Sequence, residues 1–193
     1  MEQSDKRFGA KQITITAMLL AVCLVSQLFK NLSVFITGPI INACIVLTVL
    51  LVNLPCAILL SVITPITAFI ITASPIMKVV PAIIPFIMLG NIVLATAVHY
   101  LMKKDMEKET GSLPGVKCWI MGLISSLLKG LFMGITISLW LLPAFIPDQS
   151  PLREKMSVFQ TTFSLYQFLT SCIGFIYVFV MWQVLKKLAN TLN

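Results

Sequence analysis

Six long apolar stretches run through this chain and constrain its fold more than any other feature. They cover about residues 12–29, 38–54, 56–73, 80–102, 118–142 and 158–185. Each falls within the roughly 17–25 residues that one helical membrane crossing needs, or slightly exceeds it. Only 11% of residues are charged, too few to cover a soluble domain. The apolar stretches are continuous rather than alternating, which excludes a β-barrel. The sequence therefore predicts an all-α integral membrane protein: one domain, residues 1–193, forming a six-transmembrane-helix bundle.

The basic residues predict the orientation of this bundle. If the N-terminus is inside, the inner side carries nine of them: Lys6, Arg7, Lys11, Lys103, Lys104, Lys108, Lys117, Lys186 and Lys187. The outer side then carries four: Lys30, Lys78, Arg153 and Lys155. Because cytoplasmic loops are enriched in Lys and Arg, we expect both termini to be cytoplasmic. The net charge of +7 is explained by this asymmetry and by attraction to anionic lipid, without any nucleic acid partner.

Lys129 is the one basic residue inside an apolar stretch. It has 11 residues of the fifth stretch before it and 13 after it, so at about 1.5 Å per residue its amine cannot reach either membrane surface. A lysine at such a depth costs about 2.5–3.5 kcal/mol, and none of the six stretches contains Asp or Glu. Either a ligand or a water-filled cavity receives this charge, or the amine pairs structurally with carbonyl groups.

Further polar and aromatic residues lie in the last three apolar stretches. Asn91 lies in the middle of the fourth stretch, and Gln160, Ser164 and Gln167 share one face of the sixth, at i, i+4 and i+7. They form either a binding face or ordinary interhelical hydrogen bonds. Trp140 is expected at the membrane interface or at the outer mouth of a pocket. The candidate substrate-binding residues are therefore Asn91, Lys129, Trp140, Gln160, Ser164 and Gln167.

Small residues recur at a spacing of four in two stretches. Ala17 and Ala21 lie on one face of the first, and Gly130 and Gly134 on one face of the fifth. Such pairs allow two helices to approach closely. Packing within the bundle is the default interpretation of both pairs. For Ala17 and Ala21, docking onto another membrane subunit is the alternative.

Motifs typical of enzymes are missing from the sequence. It has no Gly-x-Ser-x-Gly, no His-Glu-x-x-His, no phosphate-binding Walker loop and no pair of intramembrane acids. Its only histidine, His99, has no acidic or serine partner at a recognisable spacing, and its five cysteines lack Cys-x-x-Cys spacing. We therefore expect a protein that is not an enzyme, with no catalytic residues, no metal site and no cofactor of its own. A binding protein that takes its energy from partners is the simplest interpretation.

Over nearly its whole length the chain resembles the substrate-binding S components of energy-coupling-factor (ECF) vitamin transporters. The resemblance rests on Ala17-x-x-x-Ala21 and on the sequence Thr-Gly-Pro-Ile-Ile-Asn at 37–42. It extends to Ile-Pro-Phe-Ile-Met-Leu-Gly-Asn at 84–91, Lys-Gly-Leu-Phe-Met at 129–133 and Phe-Ser-Leu-Tyr-Gln at 163–167. The resemblance implies a multi-pass protein of the bacterial plasma membrane that binds one micronutrient in its outer half.

The same resemblance implies roles for particular residues. Asn91, Lys129 and Gln167 would line the substrate pocket. Ala17 and Ala21 would dock onto a transmembrane coupling subunit that two ATPase subunits drive, so that ATP is used by the partners. The whole subunit would topple in the membrane during transport. Val25 stands where a third alanine is frequent in the family, which would weaken the docking.

A buried lysine favours a substrate with a carboxylate or a phosphate group. Pantothenate, niacin or lipoate would fit, whereas the thiamine cation would be repelled; a large corrin or a flavin stays open. One alternative function is a stand-alone secondary transporter or small channel, although coupling acids and an internal repeat are missing. Another is an assembly subunit that binds no small molecule and pairs Lys129 with an acid of its partner.

Overall fold

The described part of the chain consists of helices and the connections between them, without strands. The structure, a computed structural model, describes residues 9–29, 34–72, 74–108 and 114–191, without the side chains of residues 34, 183 and 185–191. Its α-helices are α1 (Ala10–Leu28), α2 (Val34–Leu51), α3 (Leu54–Thr72), α4 (Pro75–Val79), α5 (Ile83–Leu101), α6 (Lys103–Lys108), α7 (Val116–Met133), α8 (Leu142–Phe145), α9 (Met156–Phe163) and α10 (Leu165–Thr191). A π-helix (Gly134–Leu141) joins α7 to α8, and a short 3₁₀ helix (Arg153–Lys155) precedes α9.

Five helical segments are long and apolar enough to cross a membrane. They are Ala10–Leu28, Leu54–Thr72, Ile83–Leu101, Val116–Phe145 and Arg153–Trp182. The second predicted stretch corresponds to α2, whose apolar part, Phe35–Leu51, is shorter. The prediction of an all-helical, multi-pass membrane protein is thus confirmed with five helices capable of spanning.

Large apolar side chains cover the outside of the bundle. Ile70 on α3 is 71% exposed and Leu139 in the π-helix is 70% exposed. In water such a surface would be strongly unfavourable, whereas lipid tails solvate it. The outer surface is therefore suited to hydrocarbon.

Helix α2 lies at the centre of the bundle. It packs against α1, α3, α5 and α10, and every residue from 43 to 50 is buried. Its closest neighbour is α10: a Cβ atom added at Gly174 would lie 2.9 Å from the backbone oxygen of Pro39. A helix that neighbouring helices surround over most of its length has no single buried face, and the apolar residues of α2 are accordingly distributed around its circumference.

Helix α2 begins earlier than predicted. The helix includes Val34, so Pro39 lies in its interior rather than in its first turn. A proline inside a helix removes one backbone hydrogen bond and crowds the preceding turn, a cost that packing against neighbouring helices can offset in a membrane.

The connection between α3 and α5 contains a short helix and a break. Helix α4 ends at Val79, and Val80 leaves the helical conformation with φ −124° and ψ 77°. The connection before the last helix also contains helical turns. Pro143 lies inside α8, and helical turns resume at Arg153.

The sixth apolar stretch is two helices rather than one. Ser164 separates α9 from α10, with φ −117° and ψ −83°, and its hydroxyl donates a 2.6 Å hydrogen bond to the backbone oxygen of Gln160. Thr48 and Ser61 make the same kind of bond inside unbroken helices, so the hydroxyl by itself does not account for the break. The break sets α9 apart as a short helix beside the π-helix.

Candidate functional site

A cavity of about 270 Å³ lies in one half of the bundle. Its wall comes from the first half of α2, the second half of α3, α4, the first half of α5, the last part of α7, α9 and the start of α10. The polar residues that line it include Thr37, Asn42, Thr64, Asn91, Lys129 and Gln167. The other half of the bundle is filled by an apolar core around Ile45, Leu60, Leu94 and Phe179. The cavity is thus confined to the half that contains the connections α1–α2, α3–α5 and α8–α9.

Helix α7 places Lys129 in this cavity through a periodic pattern of burial. Ser125, Ser126, Lys129, Gly130 and Met133 form its buried face, at helical spacing. Lys129 is only 2% exposed, although the leucines near it in sequence face outward. The helix therefore directs a charged side chain to the interior and keeps apolar ones on the lipid-facing surface.

Two asparagines from two other helices receive the Lys129 amine. Its Nζ atom lies 2.5 Å from Oδ1 of Asn42 on α2 and 2.7 Å from Oδ1 of Asn91 on α5. Both asparagines are buried, so these hydrogen bonds exchange little with water. Three helices thus meet at one amine, and we call Asn42, Asn91 and Lys129 the amine cluster.

Asn42 was missed as a site residue when the sequence alone was considered. It occurs within the 37–42 segment, but nothing in the local sequence indicates that it faces Lys129, 87 positions away. Its position inside an apolar stretch was the available signal, because a buried amide needs a polar partner. Its Nδ2 also lies 3.4 Å from the hydroxyl oxygen of Thr170 on α10, so a fourth helix joins the cluster.

The described wall of the cavity contains no acid. Of the acids in the described ranges, Asp105, Glu107 and Asp148 lie outside the five spanning segments, and Glu154 is the second residue of the last one, in the 3₁₀ helix that precedes α9. Asp105 pairs with Lys117 and Asp148 with Arg153. The described residues also contain no group of three or more His, Cys, Asp or Glu side chains that could hold a metal ion. In this part of the chain, Lys129 is the only charged residue that lines the cavity.

The remainder of the cavity wall is mainly apolar. Ile41, Pro65, Ile87, Phe159 and Phe163 contribute to it. Gln167 also lines the cavity, so the structure brings three of the predicted residues, Asn91, Lys129 and Gln167, to one space. A mostly apolar wall with a few convergent polar groups is typical of small-molecule sites.

The other three predicted site residues do not line the cavity. Trp140 is 56% exposed and packs edge-to-face against Phe86, with the ring centroids 5.9 Å apart. Ser164 forms the break between α9 and α10, as described above. Gln160 is bound to the π-helix.

Gln160 makes a reciprocal pair with Ser138. Its Nε2 donates to the backbone oxygen of Ser138 at 3.0 Å, and the Ser138 hydroxyl donates to the backbone oxygen of Gln160 at 2.8 Å. In a π-helix the Ser138 carbonyl would bond to the N–H of residue 143, which is a proline and has none. Gln160 supplies a donor in place of this N–H. A backbone carbonyl that a proline leaves without its helical partner needs such a donor inside a membrane.

The two pairs of small residues have different surroundings. A Cβ atom added at Gly130 would lie 2.8 Å from Cβ of Phe168, and one at Gly134 would lie 3.3 Å from Cβ of Ser164. These glycines therefore serve packing inside the bundle. Ala17 and Ala21, in contrast, are exposed on α1.

Comparison with known proteins does not assign this chain to a family. The chain matches no protein-family model, no curated protein and no solved structure. The fold and the cavity define a multi-pass helical membrane protein with a buried amine in an otherwise uncharged cavity wall.

Proposed function

We propose that this chain is the substrate-binding membrane subunit, the S component, of an ATP-driven ECF-type importer. Its substrate is a water-soluble vitamin or related micronutrient that carries a carboxylate or a phosphate. The observation that carries the proposal is the buried Lys129 in a cavity whose described wall has no acid. Such an amine needs a negative charge, and a ligand in the cavity would provide it.

The amine cluster supports ligand binding rather than a purely structural lysine. A structural lysine would be expected to direct all of its donors to protein groups. Lys129 has hydrogen bonds to Asn42 and Asn91 and also borders the cavity. A protonated amine has three N–H donors, so one of them stays available to a bound anion.

The size of the cavity favours a compact substrate. At about 270 Å³ it lies just below the roughly 300–1,000 Å³ of typical ligand sites. A corrin or a flavin would need far more room, and a cation such as thiamine would be repelled by Lys129. Molecules of the size of nicotinate, lipoate or pantothenate agree with both constraints.

The rest of the proposal concerns topology and partners. We propose six spans, including the enclosed α2, with both termini in the cytoplasm of a bacterial cell and the cavity in the outer half of the plasma membrane. The exposed Ala17 and Ala21 on α1 would dock onto a transmembrane coupling subunit that two ATPase subunits drive. No catalytic role is assigned to this chain.

Two observations bear on the alternatives. A proton-coupled secondary transporter would need an ionisable acid within the membrane, and the only acid in the described spanning segments is Glu154, in the first turn of the last one and outside the cavity wall. An assembly subunit would pair Lys129 with an acid of its partner, but at 2% exposure the amine lies away from the surface such a partner would contact.

Purification of the tagged chain from its native membranes tests the proposed function. We expect a coupling subunit and two ATPases to co-purify in mild detergent and ATP-dependent uptake to follow reconstitution of the whole complex. Uptake by vesicles that contain this chain alone would contradict the proposal in favour of a secondary transporter.

A further inference from the structure

We infer that the amine cluster selects a compact monocarboxylate, in preference to a phosphate ester, a dicarboxylate or a neutral amide. This inference rests on the proposed function and narrows its substrate class. It depends on the orientation of two side-chain amides and on the number of charges at the cavity wall.

The lysine fixes the orientation of both amides. A protonated amine has only donors, so each asparagine must turn its oxygen towards Nζ, as Oδ1 of Asn42 and Oδ1 of Asn91 do. The NH₂ groups of both amides therefore point away from the amine. The Asn42 NH₂ group is directed at Thr170, 3.4 Å away.

Within the amine cluster, the groups left for a ligand are therefore donors. They are the third N–H of Lys129 and the NH₂ group of Asn91, and both residues line the same cavity. A carboxylate presents two acceptor oxygens and no donor, so one oxygen can accept from Lys129 and the other from Asn91. A carboxamide would turn an NH₂ group towards one of these donors and lose that hydrogen bond.

The charge count limits the ligand to one negative charge. Among the described residues that line the cavity, only Lys129 is charged. A monocarboxylate balances this charge, whereas a phosphate monoester or a dicarboxylate would leave a second negative charge buried without a partner. Burying an unpaired charge is far more costly than leaving it in water.

The identity of the molecule bound to the full-length protein tests this inference. The protein is purified in detergent, denatured, and its small molecules are identified by mass spectrometry. We expect one molecule with a single carboxylate and no phosphate. A bound phosphate ester, dicarboxylate, neutral molecule or cation would overturn the inference, while a binding function would still stand. An empty protein that no compound of the panel below stabilises would overturn both.

Matched acids and neutral analogues provide the second readout. The panel pairs nicotinate with nicotinamide, lipoate with lipoamide and pantothenate with pantothenol, and binding is measured as thermal stabilisation and by calorimetry. We expect at least one acid to bind roughly 100-fold more tightly than its neutral partner. The neutral analogue leaves hydrogen-bond donors of the site without an acceptor, whereas the carboxylate satisfies them. Equal affinity for both members of each pair would overturn the inference.

An isosteric variant separates ligand recognition from folding. Asn91→Asp places a carboxylate beside Lys129, which neutralises the amine from within the protein. We expect the variant to keep or raise the unfolding temperature and to lose at least 100-fold in affinity for the acid. Asn53→Asp, at the N-cap of α3 and outside the cavity wall, makes the same charge change and should bind like the wild type. Unchanged acid affinity in Asn91→Asp would overturn the inference.

Discussion

The Nζ atom of Lys129 on α7 lies 2.7 Å from Oδ1 of Asn91 on α5, and both residues are buried at the wall of the same cavity. The sequence marked each residue separately as a polar group in an apolar stretch. Their contact shows that the two residues belong to one site. The asparagine fixes the position of the amine, and the amine fixes the orientation of the amide.

Replacement of Asn42 tests whether the cluster needs its third member. In Asn42→Leu the amine loses one of its two hydrogen-bond acceptors, which should cost about 1–3 kcal/mol of unfolding free energy. We expect ligand affinity to fall roughly tenfold or more, since about 1.4 kcal/mol corresponds to a factor of ten. Thermal unfolding and calorimetry in detergent measure the two effects. Asn53→Ser, which keeps an N-cap residue on α3, is the control. Wild-type ligand affinity in Asn42→Leu would contradict the role given to Asn42.

Gln160 should matter for stability but not for binding. Gln160→Leu removes the donor that serves the Ser138 carbonyl opposite Pro143, which should destabilise the protein by about 1–3 kcal/mol. We expect ligand affinity to stay within about twofold of the wild type, because Gln160 does not line the cavity. Thr161→Val on the same helix should change neither quantity, because the Thr161 hydroxyl bonds within α9, to the backbone oxygen of Ser157, and Thr161 does not line the cavity. A large loss of affinity in Gln160→Leu at unchanged stability would show that Gln160 belongs to the site.

The close approach of α7 and the π-helix to the segment around Ser164 and Phe168 predicts a graded response at two glycines. A Cβ atom at Gly130 would lie 2.8 Å from Cβ of Phe168, and one at Gly134 would lie 3.3 Å from Cβ of Ser164. Gly130→Ala should therefore lower the unfolding temperature more than Gly134→Ala, with a cost of about 1–3 kcal/mol for the first. Parallel thermal melts check the ranking, and the opposite order would mean that the helices pack differently.

The exposed face of α1 can be tested independently of the cavity. Ala17→Trp places a bulky ring on a surface that nothing in the described bundle covers. We expect ligand binding to be unchanged and ATP-driven uptake by the complete importer to be lost, because a docking helix could no longer approach. Val180→Trp, on the exposed side of α10, is the matched control and should leave uptake intact. Normal uptake by Ala17→Trp would exclude this face as the docking surface.

The positions of the helices could be predicted from the sequence, and much of their pairing could not. Apolar runs locate α1, α3, α5 and the start of α7 to within a few residues, since each must match the membrane. The start of α2 at or before Val34 and the break at Ser164 depend on tertiary packing, which local sequence does not encode.

The candidate site, too, could be predicted from the sequence only in part. Lys129 could be recognised because a charge in an apolar stretch is costly wherever it faces. Asn42 could not be assigned to it, since that requires knowing that α2 lies beside α7. Gln160 was predicted at the site for its polarity, but the missing N–H of Pro143 explains it better.

Native mass spectrometry of the wild type and of Lys129→Met, side by side, tests the central claim most directly. Methionine keeps much of the length and apolar volume of lysine and removes its charge. We expect a small anionic molecule on the wild type and on Lys117→Met, whose lysine forms an ion pair outside the cavity, and none on Lys129→Met. The same molecule on folded Lys129→Met at wild-type occupancy would contradict the claim that this buried amine binds the substrate.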